Sequence, residues 1–159
     1  MRTEKKNYVL LIIWVILLML IGSGIGFLTK PSVDTWYLTL NRSSLTPPSY
    51  VFGTAWSILY AMIAISGWFI WESKSFSQLK LIKILYVLQL VLNWSWTPLF
   101  FSYHYTSLAL FCIALILVLT IAIIIKAYKQ LIQVSFLLLP YITWLLFAGY
   151  LNFYIWQYN

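Results

Sequence analysis

The chain has 159 residues, 63% of them hydrophobic and 8% charged, with a mean hydropathy of +0.90. A soluble domain carries about 25% charge, so these proportions exclude one and describe an integral membrane protein with room for a single bundle. The net charge of +7 is no nucleic-acid signal, because the Lys and Arg residues lie in short gaps between apolar runs.

Several kinds of site are excluded as well. Cys112 stands alone in "LALFCIALIL", reads as a small buried hydrophobe, and has no partner for an intrachain disulfide. One His and one Cys do not make a structural zinc site. There is no phosphate-binding or dinucleotide loop. The acids, Glu4, Asp34 and Glu72, all lie outside the apolar runs.

A span needs about 20 apolar residues to cross roughly 30 Å. Five runs qualify, at about 8–28, 50–71, 81–101, 107–126 and 133–156, which predicts one all-α, five-span domain over 1–159. The first follows Arg2, Lys5 and Lys6. That start and the "GSG" at 22–24 share the plan of a secretory leader. The run continues through Leu28, however, and Gly22 and Gly26 form a G-x-x-x-G suited to close packing, which favours a retained helix.

Next comes "TKPSVDTWYLTLNRSSLTPPS" (29–49), the one long gap. Long loops in compact folds are often functional lids. Pro47 and Pro48 suit the first turn of the second span. Lys74, Lys80 and Lys83 surround the second gap, and Lys126 and Lys129 mark the fourth. With Arg2, Lys5 and Lys6 that makes eight cations on one side, against Lys30 and Arg42 on the other. The positive-inside rule then puts the N-terminus in the cytoplasm and the long loop and C-terminus outside.

The spans carry polar and aromatic stripes. Gln89, Asn93 and Thr97 are spaced i, i+4, i+8 on one face of the third span, with Trp96 and Phe100 beside them. Gly53, Trp56, Tyr60, Ala64, Gly67 and Trp71 repeat at helical spacing in the second. In the fifth, Pro140, Trp144, Ala148 and Asn152 are each four apart. At 1.5 Å per residue, Trp96, Trp56, Asn93 and Trp144 lie roughly 8, 9, 12 and 18 Å below the outer surface.

Interfacial belts explain many membrane tryptophans. Here a belt suits Trp71, Trp156 and Trp68, but Trp56, Trp94, Trp96 and Trp144 lie too deep or too close together. Either they fill a core, or they wall a chamber beneath the first loop. Pro98 and Pro140 leave the carbonyls of Trp94 and Phe136 without a donor. Asn93 or a tryptophan N–H is a candidate to fill one such place.

The stretches "TWYLTLNRSSLTPPSYVFGTAWSILY" (35–60), "LNWSWTPLFF" (92–101) and "LLPYITWLLFAGYLNFYIWQYN" (138–159) resemble the signature regions of the TspO/MBR family. These are the tryptophan-rich sensory proteins and the translocator proteins, or peripheral benzodiazepine receptors. The resemblance extends over the whole chain. It implies a five-helix bundle, often dimeric, with a loop-capped pocket for porphyrins such as protoporphyrin IX and for isoquinoline or benzodiazepine-type ligands.

Carried over by position, the pocket includes Trp36, Tyr37, Trp56, Tyr60, Asn93 and Trp96, and, from the fifth span, Trp144, Phe147, Ala148 and Leu151. Lys30 and Arg42 are the candidates to pair with porphyrin propionates. No axial metal ligand is evident, because His104 lies in the short third gap, so the expectation is a metal-free tetrapyrrole and no obligate cofactor. Some relatives are said to degrade protoporphyrin in light through two tryptophans, which match Trp56 and Trp144.

Two departures stand out. The sterol-recognition segment of animal members needs a Tyr followed by Arg or Lys, and "YLNFYIWQYN" has no cation, which argues against sterol binding there. The third span is bulky, which leaves a dimer through it open. The leading expectation is a tetrapyrrole receptor or sensor in a bacterial cytoplasmic membrane. A porphyrin facilitator and a light-dependent degrading enzyme are the alternatives. Proton-coupled transport normally needs an ionisable residue inside the membrane, and none is present in the spans.

Overall fold

Five long helices dominate the computed structural model, which describes residues 8–159. They are α1 (Tyr8–Asp34), α3 (Ser49–Trp71), α4 (Leu79–Phe101), α5 (Thr106–Ala127) and α6 (Ile132–Tyr158), with a single-turn α2 (Trp36–Thr39) in the first connection. All five are long and apolar enough to cross a membrane. Their neighbours close a ring in the order α1–α3–α6–α5–α4 and back to α1.

Four spans start and stop within two residues of the apolar runs. The first does not. Residues 29–34, expected in the loop, are the last turns of α1, and Pro31 lies inside it. Apolarity marks lipid depth, whereas a helix ends where its backbone groups find other partners. Here the Thr29 hydroxyl donates to the carbonyls of Ile25 and Gly26, both at 3.1 Å, and the Thr35 hydroxyl donates to Pro31 O at 2.7 Å. The connection without helix therefore narrows to residues 40–48 beyond α2. Pro48 takes the cap position one residue before α3, not its first turn.

Helix packing depends on two glycines. A Cβ at Gly22 would meet the Tyr60 ring, and one at Gly67 would meet the Tyr86 phenol. Tyr86 is fully buried and donates to Ile63 O at 2.8 Å, so its hydroxyl is satisfied inside the bundle. Tyr86 belongs to one buried apolar cluster with Ile63, Ile70, Ile82, Ile116, Ile123 and Leu138. Cys112 is buried, as expected, and its thiol donates to Leu92 O at 3.3 Å.

Trp68, near the end of α3, is buried against neighbouring side chains. It is 3% exposed and packs on Phe69 and Tyr8. Trp71 packs against Tyr86 and Trp14, with the Lys83 ammonium 5.4 Å from its ring. Arg2, Lys5 and Lys6 lie outside the described residues. The described cations still divide as the sequence does, with Lys74, Lys80, Lys83, Lys126 and Lys129 at one end of the bundle and Lys30 and Arg42 at the other.

Candidate functional site

At the end that carries the first connection and the C-terminus, the helices part around a cavity of about 480 Å³. Sites for drug-sized ligands are typically about 300–1,000 Å³ and mostly apolar. Trp56 of α3 is its centrepiece. The ring stands 6.4 Å from Trp144 of α6 at an interplanar angle of 82°, and 5.5 Å from Tyr60 one turn along. On the α4 side Trp96 stacks on Phe100 at 5.5 Å. Ala148, Leu151 and Asn152 complete the α6 wall.

Asn152 is 2% exposed and sits where two helices meet. It accepts from Trp96 Nε1 at 3.2 Å and donates to Thr106 O at 2.8 Å. One amide thus satisfies a tryptophan N–H and the start of α5, and so fixes the Trp96 ring. Its place in the four-residue stripe of the last span was the sequence signal for this role.

The floor differs from expectation. Asn93 does not line the cavity. It is 3% exposed, accepts from the Tyr60 hydroxyl at 2.7 Å, and donates to the Tyr141 hydroxyl, also at 2.7 Å. Tyr141 in turn donates to Gln89 Oε1 at 3.2 Å. The stripe from Gln89 to Asn93 is therefore a hydrogen-bonded brace beneath the chamber, and Tyr60 is the member that reaches the cavity. Asn93 is committed to Tyr141 and does not serve the Trp94 carbonyl. The indole nitrogens of Trp94 and Trp144 are buried with no hydrogen-bond partner among the described residues.

Other expected residues divide in the same way. Tyr37, Trp56, Tyr60, Trp96, Trp144, Ala148, Leu151 and Arg42 line the cavity. Trp36 does not; it stacks on His104 at 3.9 Å and meets Phe100 edge-on. His104 holds φ at +57°, and its Nε2 is 3.0 Å from Ser32 Oγ of α1. It is thus an exposed loop residue that also ties the third gap to the end of α1 and to α2. Phe147 stands behind Trp144 at 5.8 Å, outside the lining. Lys30 is exposed on α1, also outside it.

The first span supplies an unexpected wall. Gly22, Ser23 and Gly26 of α1 line the cavity together with Gly53 and Ser57 of α3. An added Cβ at Gly26 or Gly53 would meet nothing within 4 Å. The sequence marks these glycines only as a packing motif. At the mouth, Arg42 lies 5.3 Å above the Tyr37 ring. Burial raises the Tyr37 phenol above its ordinary range and the Arg42 charge partly offsets this, so Tyr37 is a neutral donor at pH 7.

Fold and site together define a five-span integral membrane protein with an aromatic chamber at one end. Comparison with known sequences gives the class a family. The TspO/MBR family model matches residues 14–157. A tryptophan-rich protein TspO from Archaeoglobus fulgidus is 35% identical over 153 residues, covering 96% of this chain and 99% of the relative. The translocator protein of Bos taurus is 34% identical over 140 residues, covering 84% and 83%. A tryptophan-rich protein TspO from Bacillus cereus is 32% identical over 131 residues, covering 81% and 84%. The chain belongs to the TspO/MBR family.

Proposed function

We propose that the chain is a membrane receptor or sensor that binds a tetrapyrrole such as protoporphyrin IX in the aromatic chamber. The supporting observation is the convergence of Trp56, Trp96 and Trp144 on one cavity of about 480 Å³. A tetrapyrrole is a flat apolar disc with carboxylates on one edge. Indole and phenol faces offer it stacking and burial, and Arg42 at the mouth offers a forked cation for a carboxylate. The two-sided division of lysines favours a chamber that opens toward the outer face of a cytoplasmic membrane.

Titration of the purified protein with protoporphyrin IX in the dark tests this reading. Saturable quenching of tryptophan fluorescence is the expected result. Quenching that rises linearly without saturation, as with an unrelated membrane protein, removes it.

The near-perpendicular Trp56–Trp144 pair favours a second reading, light-dependent breakdown of the bound ring with dioxygen as oxidant. It requires a product band that appears under light with oxygen and is lost in Trp56→Phe or Trp144→Phe. A spectrum that bleaches equally with and without the protein removes it.

A further inference from the structure

We propose that a second site lies at the lysine end of the bundle, a cavity at the foot of α4 and α5 that holds the phosphate of an anionic membrane phospholipid. Its volume is about 360 Å³, and residues of the second and fourth connections line it together. Lys126, in the last turn of α5, and Lys129 just beyond that helix supply two ammonium groups. Ser77 and Gln78, the two residues before α4, supply a hydroxyl and an amide. Among the described residues no acid lines this cavity.

These donors are placed but unused. Lys126 is half-buried, and its Nζ donates to Gln78 Oε1 at 3.4 Å, which ties α5 to the start of α4 and leaves two ammonium protons free. Lys129, Ser77 and the Gln78 amide nitrogen make no side-chain hydrogen bond among the described residues, and neither lysine has an ion-pair partner there. No side chain caps α4, so its dipole adds to the positive potential of the lysines. Glu72 is the described acid at this end, against Lys74, Lys80, Lys83, Lys126 and Lys129, and it stands outside the lining. Lysines after a helix also suit its dipole and orient the chain, but those roles need neither a cavity nor a facing amide.

Two features select a lipid over free phosphate. The lining runs from Lys129 and Gln130 in the fourth gap to Ile125, one turn inside α5, and so crosses from the polar edge of the span into its apolar part. Ile125 is 69% exposed, and Ile121 and Val118 continue the same exposed apolar stripe along α5, a track for an acyl chain below a headgroup. The positive-inside rule sets this end against the cytoplasmic leaflet, which is the anionic one.

The test follows lipid retained by the full chain in neutral detergent at about 0.15 M salt, where charges more than about 8 Å apart are largely screened. Native mass spectrometry reads retention of phosphatidylglycerol, of phosphatidylcholine, and of phosphatidylglycerol with inorganic phosphate added. Wild type is expected to retain one phosphatidylglycerol saturably, and phosphatidylcholine at least about fivefold more weakly, because the choline offsets the phosphate charge. Lys126→Gln with Lys129→Gln is expected to lower phosphatidylglycerol affinity about five- to thirtyfold. Lys74→Gln with Lys83→Gln removes the same charge outside the lining and is expected to change it less than about twofold. Lys129→Gln alone, at an exposed side chain without a hydrogen bond, is expected to weaken retention about three- to fivefold with an unchanged thermal midpoint, which separates loss of the site from loss of structure. Equal losses in the two double variants would show a diffuse positive surface and overturn the inference. Equal retention of the two lipids would overturn it as well, and so would displacement of the lipid by equimolar inorganic phosphate, which would assign the cavity to the free ion.

Discussion

The two ends of the bundle use the same residue types to opposite effect. At the lysine end Gly67 lets the Tyr86 phenol press against α3, and the space is filled. At the loop end Gly26 and Gly53 face open space, and the aromatic rings stand around a cavity. The brace of Tyr60, Asn93, Tyr141 and Gln89 divides the two. A glycine in an apolar helix can thus close a contact or leave a void, and what faces it decides which.

Substitutions on either side of the brace test that division. The largest effect is expected from Asn93→Ala, which takes the acceptor from the Tyr60 hydroxyl and the donor from Tyr141, leaving Tyr141 only its bond to Gln89. A loss of about 2–4 kcal/mol in stability should appear as a lower midpoint in thermal unfolding, with or without ligand. An unchanged midpoint would mean that the amide braces nothing. Gly67→Ala comes next. The new methyl displaces Tyr86 and endangers its bond to Ile63 O, at a cost of about 1–3 kcal/mol in the same measurement.

Changes in the chamber should move binding instead. Trp144→Phe keeps an aromatic wall but removes the larger ring, so tetrapyrrole affinity should fall about two- to tenfold with little change in midpoint. The smallest effect belongs to Gly53→Ala. Its methyl enters open space within a helix, so stability should hold or rise by up to about 1 kcal/mol. A marked loss there would show that α1 and α3 close against each other in the membrane.

Hydropathy made most of this architecture legible, because a bilayer fixes span length and little else competes with it. It failed at the end of α1, where the helix outlasts its apolar run and carries Lys30 away from the cavity. Helical spacing correctly grouped Trp56 with Tyr60 and Trp144 with Ala148 and Asn152. It could not show that the Asn93 amide is occupied, since that depends on Tyr141, an unremarkable aromatic in another helix. Nor did it show that Trp36 would turn to His104, because the left-handed backbone there belongs to a short gap with no glycine. The α1 wall was hidden for a similar reason: Gly22 and Gly26 form one motif, yet one packs on Tyr60 and the other faces the void.

The central claim is that the void at the loop end is the ligand site, and filling it is the most direct test. Gly53→Trp adds a large ring where an added Cβ meets nothing within 4 Å. The measurement is protoporphyrin IX binding to this variant beside wild type, with thermal midpoints recorded for both. A preserved midpoint with saturable quenching abolished is the predicted result. Undiminished binding by a folded Gly53→Trp protein would contradict the account and place the site elsewhere.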